Sequence, residues 1–161
     1  MGTTSFPPLN FPPLREQLYI RDGEVRCRVR RRFVKLEPEE WVRQNMLSYL
    51  IEALGFPAGA IAVEFPLILN GMRRRADILC QTPNGSPLLL VECKAPEVRL
   101  SQAALDQVWR YGLALKTLPP VIVLTNGLHH QAFGTHLGPD PIPLTSLPHF
   151  DELRRSTGQM P

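Results

Sequence analysis

Cysteine is scarce in this sequence, and long apolar runs are lacking. Three of the 161 residues are cysteine (Cys27, Cys80 and Cys93), and none of them forms a C-x-x-C pair. An odd cysteine count without metal-binding spacing indicates reduced thiols in a cytoplasmic compartment. No apolar run approaches the length of a membrane span, and the N-terminus carries no basic-then-apolar signal peptide. We therefore expect a cytoplasmic protein that does not act at a membrane.

Histidine offers little support for a metal site. His129 and His130 are adjacent, but no third ligand follows at a spacing that a zinc site would use. We therefore expect both histidines to lie on the surface.

The net charge is small, but the basic residues are unevenly distributed. The sequence has eighteen lysines and arginines and fifteen acidic residues, which gives a net charge of +3. The hydrophobic fraction of 43% is typical of one globular domain. Two stretches hold most of the clustered positive charge: Arg26, Arg28, Arg30, Arg31, Arg32 and Lys35, and then Arg73, Arg74 and Arg75. Such clusters either form a solvated surface or bind a polyanion, and charge alone leaves both readings open.

The apolar pattern predicts an α/β domain over residues 18–134. Asp22-Gly23 signals a hairpin within residues 18–34. Helical periodicity covers residues 38–54 and 102–117, and short apolar runs bounded by turn residues predict strands. The predicted strands are 61–69, 73–80, 87–94, 120–125 and 131–133. This order predicts a central mixed β-sheet flanked by helices, with an N-terminal β-hairpin.

The two ends of the chain have a different composition. Residues 1–17 are rich in proline and predict an extended arm, which either packs its Phe and Leu side chains onto the domain or binds a partner. Residues 135–161 are rich in Pro and Gly and predict a C-terminal arm with a short helix at 150–155.

Three charged residues lie at the ends of two predicted strands. Glu92 and Lys94 share one strand face, since successive side chains alternate, and Cys93 points to the other face. A turn near residues 83–85 would fold this strand back and bring Asp77 beside Glu92. Two close carboxylates repel each other and favour a cation between them. Oxygen ligands with open positions suit Mg²⁺, so this group predicts phosphodiester hydrolysis.

The first predicted helix also carries charge on its apolar side. Glu39 and Arg43 fall on or beside the face of Val42 and Met46, whereas Glu40 lies nearer the edge of that face. Glu39 either complements the helix dipole or has a role at a site. Arg43 either pairs with that carboxylate or contacts a phosphate.

These residues belong to a set of five blocks that resembles a known family. The blocks are Pro38–Gln44, Arg75–Ile78, Val91–Pro96, Asp106–Tyr111 and Thr125–Gly127. Together they resemble the N-terminal nuclease-like domain of the type I restriction enzyme R subunit, in the PD-(D/E)XK (restriction endonuclease-like) superfamily. The resemblance spans roughly residues 18–133, and Ala76 stands where the signature name has proline.

The resemblance implies a Mg²⁺-dependent DNA endonuclease, with Mn²⁺ as a substitute metal. Asp77, Glu92 and the backbone carbonyl of Cys93 would hold the metal, and Glu39 would reach it directly or through water. Lys94 would orient the attacking water. Gln107 and Tyr111, four residues apart on one helix face, match an extra Gln-x-x-x-Tyr motif that helps to position DNA or the metal's waters. Tyr111 has a second reading as a core residue. The candidate contacts to DNA are Arg43, Arg73, Arg74, Arg75 and Tyr111.

Two other functions remain open at this point. The chain could be a binding module that keeps the nuclease fold without cutting, or a structure-specific nuclease for repair or junction DNA. It has no G-x-x-x-x-G-K-[ST] loop for an ATP-driven motor. We therefore expect it to act alone or with separate restriction or repair subunits, and as a homodimer if it cuts both strands.

Overall fold

The computed structural model describes residues 5–135 and 140–157. Its elements follow the predicted alternation of hairpin, helix, strands, helix and strands. In chain order they are β1 (Ile20–Arg21), β2 (Glu24–Arg26), β3 (Phe33–Lys35), α1 (Pro38–Glu52), β4 (Ile61–Leu69), β5 (Met72–Gln81), β6 (Pro87–Cys93), α2 (Gln102–Leu113), β7 (Val121–Thr125), β8 (His130–Gly134), β9 (Ile142–Pro143) and α3 (Phe150–Ser156).

The main sheet is mixed, with strand order β4-β5-β6-β7-β8-β9. β6 and β7 run parallel, and the other neighbouring strands are antiparallel. A parallel pair needs a crossover connection, which α2 provides. All seven residues of β6 are buried, as expected for a central strand that is covered on both faces. The predicted α/β class with a central mixed sheet is confirmed.

The two long helices cover opposite faces of this sheet. Leu89 and Val91 of β6 pack in one core cluster with Val42 of α1, whereas Leu90 packs in another with Val108 of α2. Successive side chains of a strand point to opposite faces, so each helix has its own side of the sheet. The candidate site residues at the end of β6 therefore lie within reach of both helices.

Several element boundaries differ from the sequence prediction. α1 ends at Glu52 and α2 at Leu113, so both helices are shorter at their C-terminal ends than predicted. Sequence analysis did not predict β9, which pairs with β8. The predicted helix near residue 150 is present as α3, and its Leu153 is buried in the core. Residues 136–139 and 158–161 of the predicted C-terminal arm lie outside the described residues.

The predicted N-terminal hairpin is present and gains a third strand. Asp22 and Gly23 both have positive φ angles, 49° and 75°, which is the conformation of a tight two-residue hairpin turn. β3 adds to β2 and completes a small antiparallel sheet. Arg28, which belongs to the first basic cluster, is half-buried, and its guanidinium pairs with Glu16 and Glu52.

Helix α1 is buried on more than one side. The small sheet and the proline-rich arm cover the part that faces away from the main sheet. Phe6 of the arm stacks on Trp41 at 5.6 Å between ring centroids, and Trp41 Nε1 donates a hydrogen bond to the carbonyl of Pro7. Among the described residues, the helices are too short or too polar to cross a bilayer.

Candidate active site

Strands β5 and β6 bring Asp77 and Glu92 together, as the sequence predicted. Ile78 is paired with Val91 across the two antiparallel strands, so the next positions, Asp77 and Glu92, are neighbours. Asp77 Oδ2 accepts a hydrogen bond from the backbone N–H of Cys93 at 2.7 Å. Each carboxyl-bearing residue is only 6% exposed. The two acids therefore form a close pair in a largely desolvated position.

Glu92 has an oxygen without a partner. Its Oε2 is buried and accepts no hydrogen bond from any described residue. Burial raises the pKa of Glu92, and the neighbouring Asp77 raises it further by repulsion and by a hydrogen bond. Leaving a buried carboxylate oxygen unsatisfied is costly, so this position favours either a proton or a cation.

Arg43 supplies one positive charge to the acidic pair. Its Nη2 lies 2.6 Å from Asp77 Oδ1, and its Nη1 lies 2.7 Å from Glu40 Oε1. Burial alone would lower the pKa of Arg43, but Asp77 and Glu40 outweigh it, and the pKa is raised. The sequence left two roles open for Arg43, pairing with a carboxylate or contacting a phosphate. The structure shows Arg43 paired with carboxylates.

The two glutamates at the start of α1 have different surroundings from those expected. The expectation that Glu40 lies at the edge of the buried face is wrong, because Glu40 is buried and accepts hydrogen bonds from Arg30, Arg43 and Gln44. Glu40 is buried because the N-terminal part of the chain, including Arg30, packs over this side of α1. The side chain of Glu39 remains 48% exposed and lies 3.6 Å from Arg43.

Glu39 nevertheless interacts electrostatically with the acidic pair. Partial burial raises the pKa of Glu39, and the charge of Asp77 is the next largest cause. Lys94 acts in the opposite direction and lowers it. Glu39 is therefore the carboxylate of α1 that interacts with both Asp77 and Lys94, from a half-exposed position at the rim of the site.

A second chain of polar contacts links Lys94 to helix α2. Lys94 Nζ donates to Gln107 Oε1 at 3.2 Å, and Gln107 Nε2 donates to Tyr111 Oη at 3.1 Å. Ser101 starts this helix as its N-cap by accepting a hydrogen bond from the N–H of Ala104. Burial raises the pKa of Tyr111, and the charge of Glu92 raises it further. The ring of Tyr111 is buried, as expected for a core residue, and its hydroxyl accepts the hydrogen bond from Gln107.

The arginine triplet lies away from these contacts. Arg73, Arg74 and Arg75 belong to the part of β5 that precedes Asp77. None of the three forms an ion pair with a described residue. Arg74 has an electrostatic effect on Tyr111, whose pKa it lowers. The triplet therefore flanks the site instead of entering it.

The Thr-Asn-Gly block has a structural role that the sequence analysis missed. Asn126 Oδ1 accepts hydrogen bonds from the N–H groups of Leu128 and His129, and its Nδ2 donates to the carbonyl of Val98. Gly127 accepts a backbone hydrogen bond from Asn10 of the N-terminal arm. The Asn-Gly turn signal was readable in the sequence, but its contacts with two distant segments were not.

A further network was also missed. Arg30 bridges Glu40 and Glu64, and through Glu40 it is connected to Arg43 and Asp77. The spacing of Glu40, Arg43 and Gln44 at i, i+3 and i+4 was a usable signal for a local polar cluster on α1. The position of Arg30, fourteen residues before Gln44 and outside the helix, had no such signal.

The donor set fits a hard divalent cation with an incomplete protein shell. Across residues 5–135 and 140–157, no three His, Cys, Asp or Glu side chains converge as a ready metal cage. Mg²⁺ is commonly held by one or two carboxylates and completes its shell with waters and substrate phosphates. Asp77 and Glu92 are two such carboxylates, and Oε2 of Glu92 is buried without a hydrogen-bond partner among the described residues.

Comparison with known proteins identifies a matching family model and a solved structure with a similar fold. The family model of the type I restriction enzyme R protein N terminus (HSDR_N) matches residues 38–148. A solved fragment, described as an HsdR subunit of a type I restriction enzyme from Vibrio vulnificus YJ016, superposes with a TM-score of 0.53 at 21% identity. The alignment covers 69% of this chain and 23% of that chain, so this chain spans about a quarter of its neighbour. No curated protein matched the sequence.

Proposed function

The chain belongs to the family of the type I restriction enzyme R protein N terminus, and from this membership we propose that it is a Mg²⁺-dependent DNA endonuclease domain. The observation that carries the proposal is the buried pair of Asp77 and Glu92, in which one oxygen of Glu92 has no hydrogen-bond partner among the described residues. Lys94 follows two residues after Glu92 on the same segment. The proposed partners are DNA and the separate subunits of a restriction system. A homodimer is part of the proposal only for double-strand cutting.

Each residue of the site has a proposed task that its contacts support. Asp77, Glu92 and the backbone carbonyl of Cys93 would hold Mg²⁺ or Mn²⁺, and Glu39 would approach from the rim. When bound, the metal supplies charge neutralisation at the phosphate and a more acidic water. The network of Arg43 and the N–H of Cys93 keeps the Asp77 carboxylate in a fixed orientation.

Lys94 would orient the attacking water and stabilise charge at the phosphate. Its ammonium is held by Gln107, which is itself oriented by the hydroxyl of Tyr111. A catalytic group that is already held in the reactive orientation loses less conformational entropy in the transition state, so the barrier is lower. Gln107 thus acts in catalysis through Lys94, and Arg73, Arg74 and Arg75 supply positive charge for the DNA backbone.

The environment of the cysteines supports a cytoplasmic location, which we also propose. All three thiols are free and buried. Burial raises the pKa of Cys80 and Cys93, which keeps both thiols in their unreactive neutral form.

A second candidate function is a DNA-binding module that does not cut. The ion pair between Arg43 and Asp77 favours it, because both oxygens of Asp77 already accept a hydrogen bond. In that case the guanidinium of Arg43 would take the place of a metal ion. Type I restriction remains the proposed setting for either function.

Cleavage of supercoiled and branched DNA in Mg²⁺ or Mn²⁺ tests the first proposal. Wild type should nick, while Lys94→Ala and Asp77→Asn should lose at least about 100-fold of the rate. Lys116→Ala removes an exposed lysine elsewhere and should cut like wild type. If wild type binds DNA without cutting, and if Mg²⁺ raises the melting temperature of neither wild type nor Glu92→Ala, the binding module is the better description.

A further inference from the structure

Strands β4 and β5 extend beyond the rest of the main sheet. They have nine and ten residues, but β6 pairs only with Ile78–Gln81 of β5. The pairs from Pro66↔Arg75 to Leu69↔Met72 therefore form a two-stranded ribbon that has no third strand. Asn70 and Gly71, with φ angles of 51° and 74°, close its tip in a tight turn.

The two faces of this ribbon differ in burial. Paired residues of an antiparallel ladder point to the same side, so Ile68 lies beside Arg73, and Pro66 lies beside Arg75. All four of these residues are exposed, and Ile68 is 67% accessible. We call them the ribbon face. On the opposite side, Leu67 is buried in the core cluster of α2.

The ribbon face carries positive charge that no described acid balances. Neither Arg73 nor Arg75 forms an ion pair with any residue in the ranges 5–135 and 140–157. Arg28, Arg30 and Arg43, in contrast, each pair with at least two carboxylates. The chain thus neutralises the arginines that pack inside it and leaves those of the ribbon face available to a polyanion.

We propose that the ribbon face enters a groove of double-stranded DNA and thereby presents the duplex to the pair of Asp77 and Glu92. This inference rests on the proposed function and specifies its substrate as a duplex. A major groove about 12 Å wide admits a two-stranded β-ribbon. Arg73 and Arg75 reach phosphates or base edges, and the apolar side chain of Ile68 contacts base methyl groups.

The ribbon and the acidic pair belong to one continuous strand. Met72 at the tip and Asp77 lie five positions apart on this strand, which corresponds to about 17 Å at roughly 3.3 Å per residue. That length is about half a helical turn of B-DNA, since one turn rises about 34 Å. A duplex that lies along the strand from the tip would therefore reach the candidate site within about half a turn.

The other occupant to consider is a second copy of the chain, paired edge to edge along β4. β4 is an edge strand, and such edges can add another strand. Pro66 has no N–H for such a ladder, and Glu64 has a φ angle of +54° that distorts the edge. Pro66 opposes strand addition within the ribbon and Glu64 opposes it just before the ribbon, whereas the charge of the ribbon face suits DNA.

Fluorescence anisotropy with a labelled duplex and with a single strand of equal length tests this inference. EDTA in the buffer separates binding from cleavage. We compare wild type with Arg73→Ala/Arg75→Ala and with Ile68→Ser. The matched control is Arg26→Ala/Arg32→Ala, which removes two exposed arginines of the N-terminal part without touching the ribbon.

The ribbon double variant should bind the duplex at least about 10-fold more weakly and lower the salt slope by about two, because two phosphate contacts are lost. Ile68→Ser should weaken duplex binding without changing the salt slope, and the control should stay within about 3-fold of wild type. Equal binding by the ribbon variant and the control would overturn the inference. Stronger binding of wild type to the single strand would also overturn it.

Two measurements separate this inference from the proposed nuclease. If wild type cuts DNA and the ribbon variant binds duplex normally, the ribbon inference fails and the nuclease stands. If the ribbon variant loses duplex binding while wild type does not cut in Mg²⁺ or Mn²⁺, the ribbon inference stands and the proposed nuclease activity fails. Sedimentation of both proteins detects a second copy, and a wild-type dimer that the ribbon variant loses without any change in DNA binding would assign this face to self-association.

Discussion

The guanidinium of Arg43 lies 2.6 Å from the carboxylate of Asp77, and both residues are buried. This ion pair joins the first helix to the strand that carries the candidate site. The same arginine also pairs with Glu40, which Arg30 holds from the other side. The position of Asp77 thus depends on a chain of alternating charges that begins in the connection between β2 and β3.

Replacing Arg43 should destabilise the fold. Arg43→Gln leaves the buried carboxylates of Asp77 and Glu40 without their cation, which should cost about 3–5 kcal/mol. Urea denaturation at neutral pH measures the change. Arg43→Lys keeps the charge but cannot bridge both acids with a planar fork, so it should recover only part of the loss.

The control for this prediction is Arg99→Gln, which alters an exposed arginine of the loop after β6. It should change the free energy of unfolding by no more than about 0.5 kcal/mol. An Arg43→Gln variant as stable as Arg99→Gln would mean that the ion pair contributes nothing to the folded state.

Glu92 should make stability depend on pH when no divalent cation is present. Its pKa is raised in the folded protein, so the folded state holds a proton that the unfolded state releases. The stability that Glu92 contributes is therefore complete below its unfolded pKa and is lost as pH rises through the raised value. Glu92→Gln stays neutral, so its advantage over wild type should grow steadily from pH 5 to pH 8.5.

Urea denaturation of both proteins in EDTA at several pH values gives this difference. A constant difference between the two proteins would contradict the prediction. Adding Mg²⁺ at pH 8 should narrow the gap, since a cation on the carboxylate stabilises wild type and has no such site in Glu92→Gln.

The sheet and the central acidic pair could be predicted because local patterns determine them. Short apolar runs bounded by turn residues defined β4 and β5, and side-chain alternation together with a turn brought Asp77 to Glu92. These features depend on neighbours along the chain or on one strand pairing. The resemblance to the restriction family added the expectation for Lys94, Gln107 and Tyr111, which the structure joins in one hydrogen-bonded chain.

The burial of α1 could not be predicted, because it depends on distant segments. A helical wheel treats one side of Pro38–Glu52 as solvated, but the proline-rich arm and the small sheet cover that side. Glu40 is therefore buried although its position in the wheel suggested an edge. The pairing of Arg30 with Glu40 and Glu64 likewise joins three elements that no local pattern relates.

Gln107 should affect cleavage without affecting DNA binding, if the chain is a nuclease. Gln107→Leu removes the acceptor that holds Lys94, and loss of such a supporting contact typically costs about 10–100-fold in rate. Tyr111→Phe removes only the hydroxyl behind Gln107 and should cost less. Gln102→Leu, an exposed glutamine on the same helix, is the matched control.

Single-turnover cleavage rates and anisotropy measure the two quantities separately. A Gln107→Leu variant that cuts like Gln102→Leu would show that Lys94 needs no support from α2. A variant that loses binding and cleavage in parallel would instead assign Gln107 to DNA contact.

Gly127 should be sensitive to the addition of a single methyl group. Its φ angle is +84°, and a Cβ there would lie 2.7 Å from Cδ2 of Leu9 in the N-terminal arm. Gly127→Ala therefore combines backbone strain of about 1–2 kcal/mol with overpacking of about 1–3 kcal/mol. Gly85→Ala is a close control, since its φ angle is +83° and a Cβ there would meet nothing within 4 Å.

The difference between these two variants isolates the contact with the arm. Gly127→Ala should lower the free energy of unfolding more than Gly85→Ala does, and it should speed proteolysis of the arm. Leu9→Ala in the Gly127→Ala background should return part of the loss, because the shorter side chain leaves room for the added methyl group. Equal destabilisation by Gly127→Ala and Gly85→Ala would mean that the arm yields freely, and that its packing against this turn contributes little to the stability of the fold.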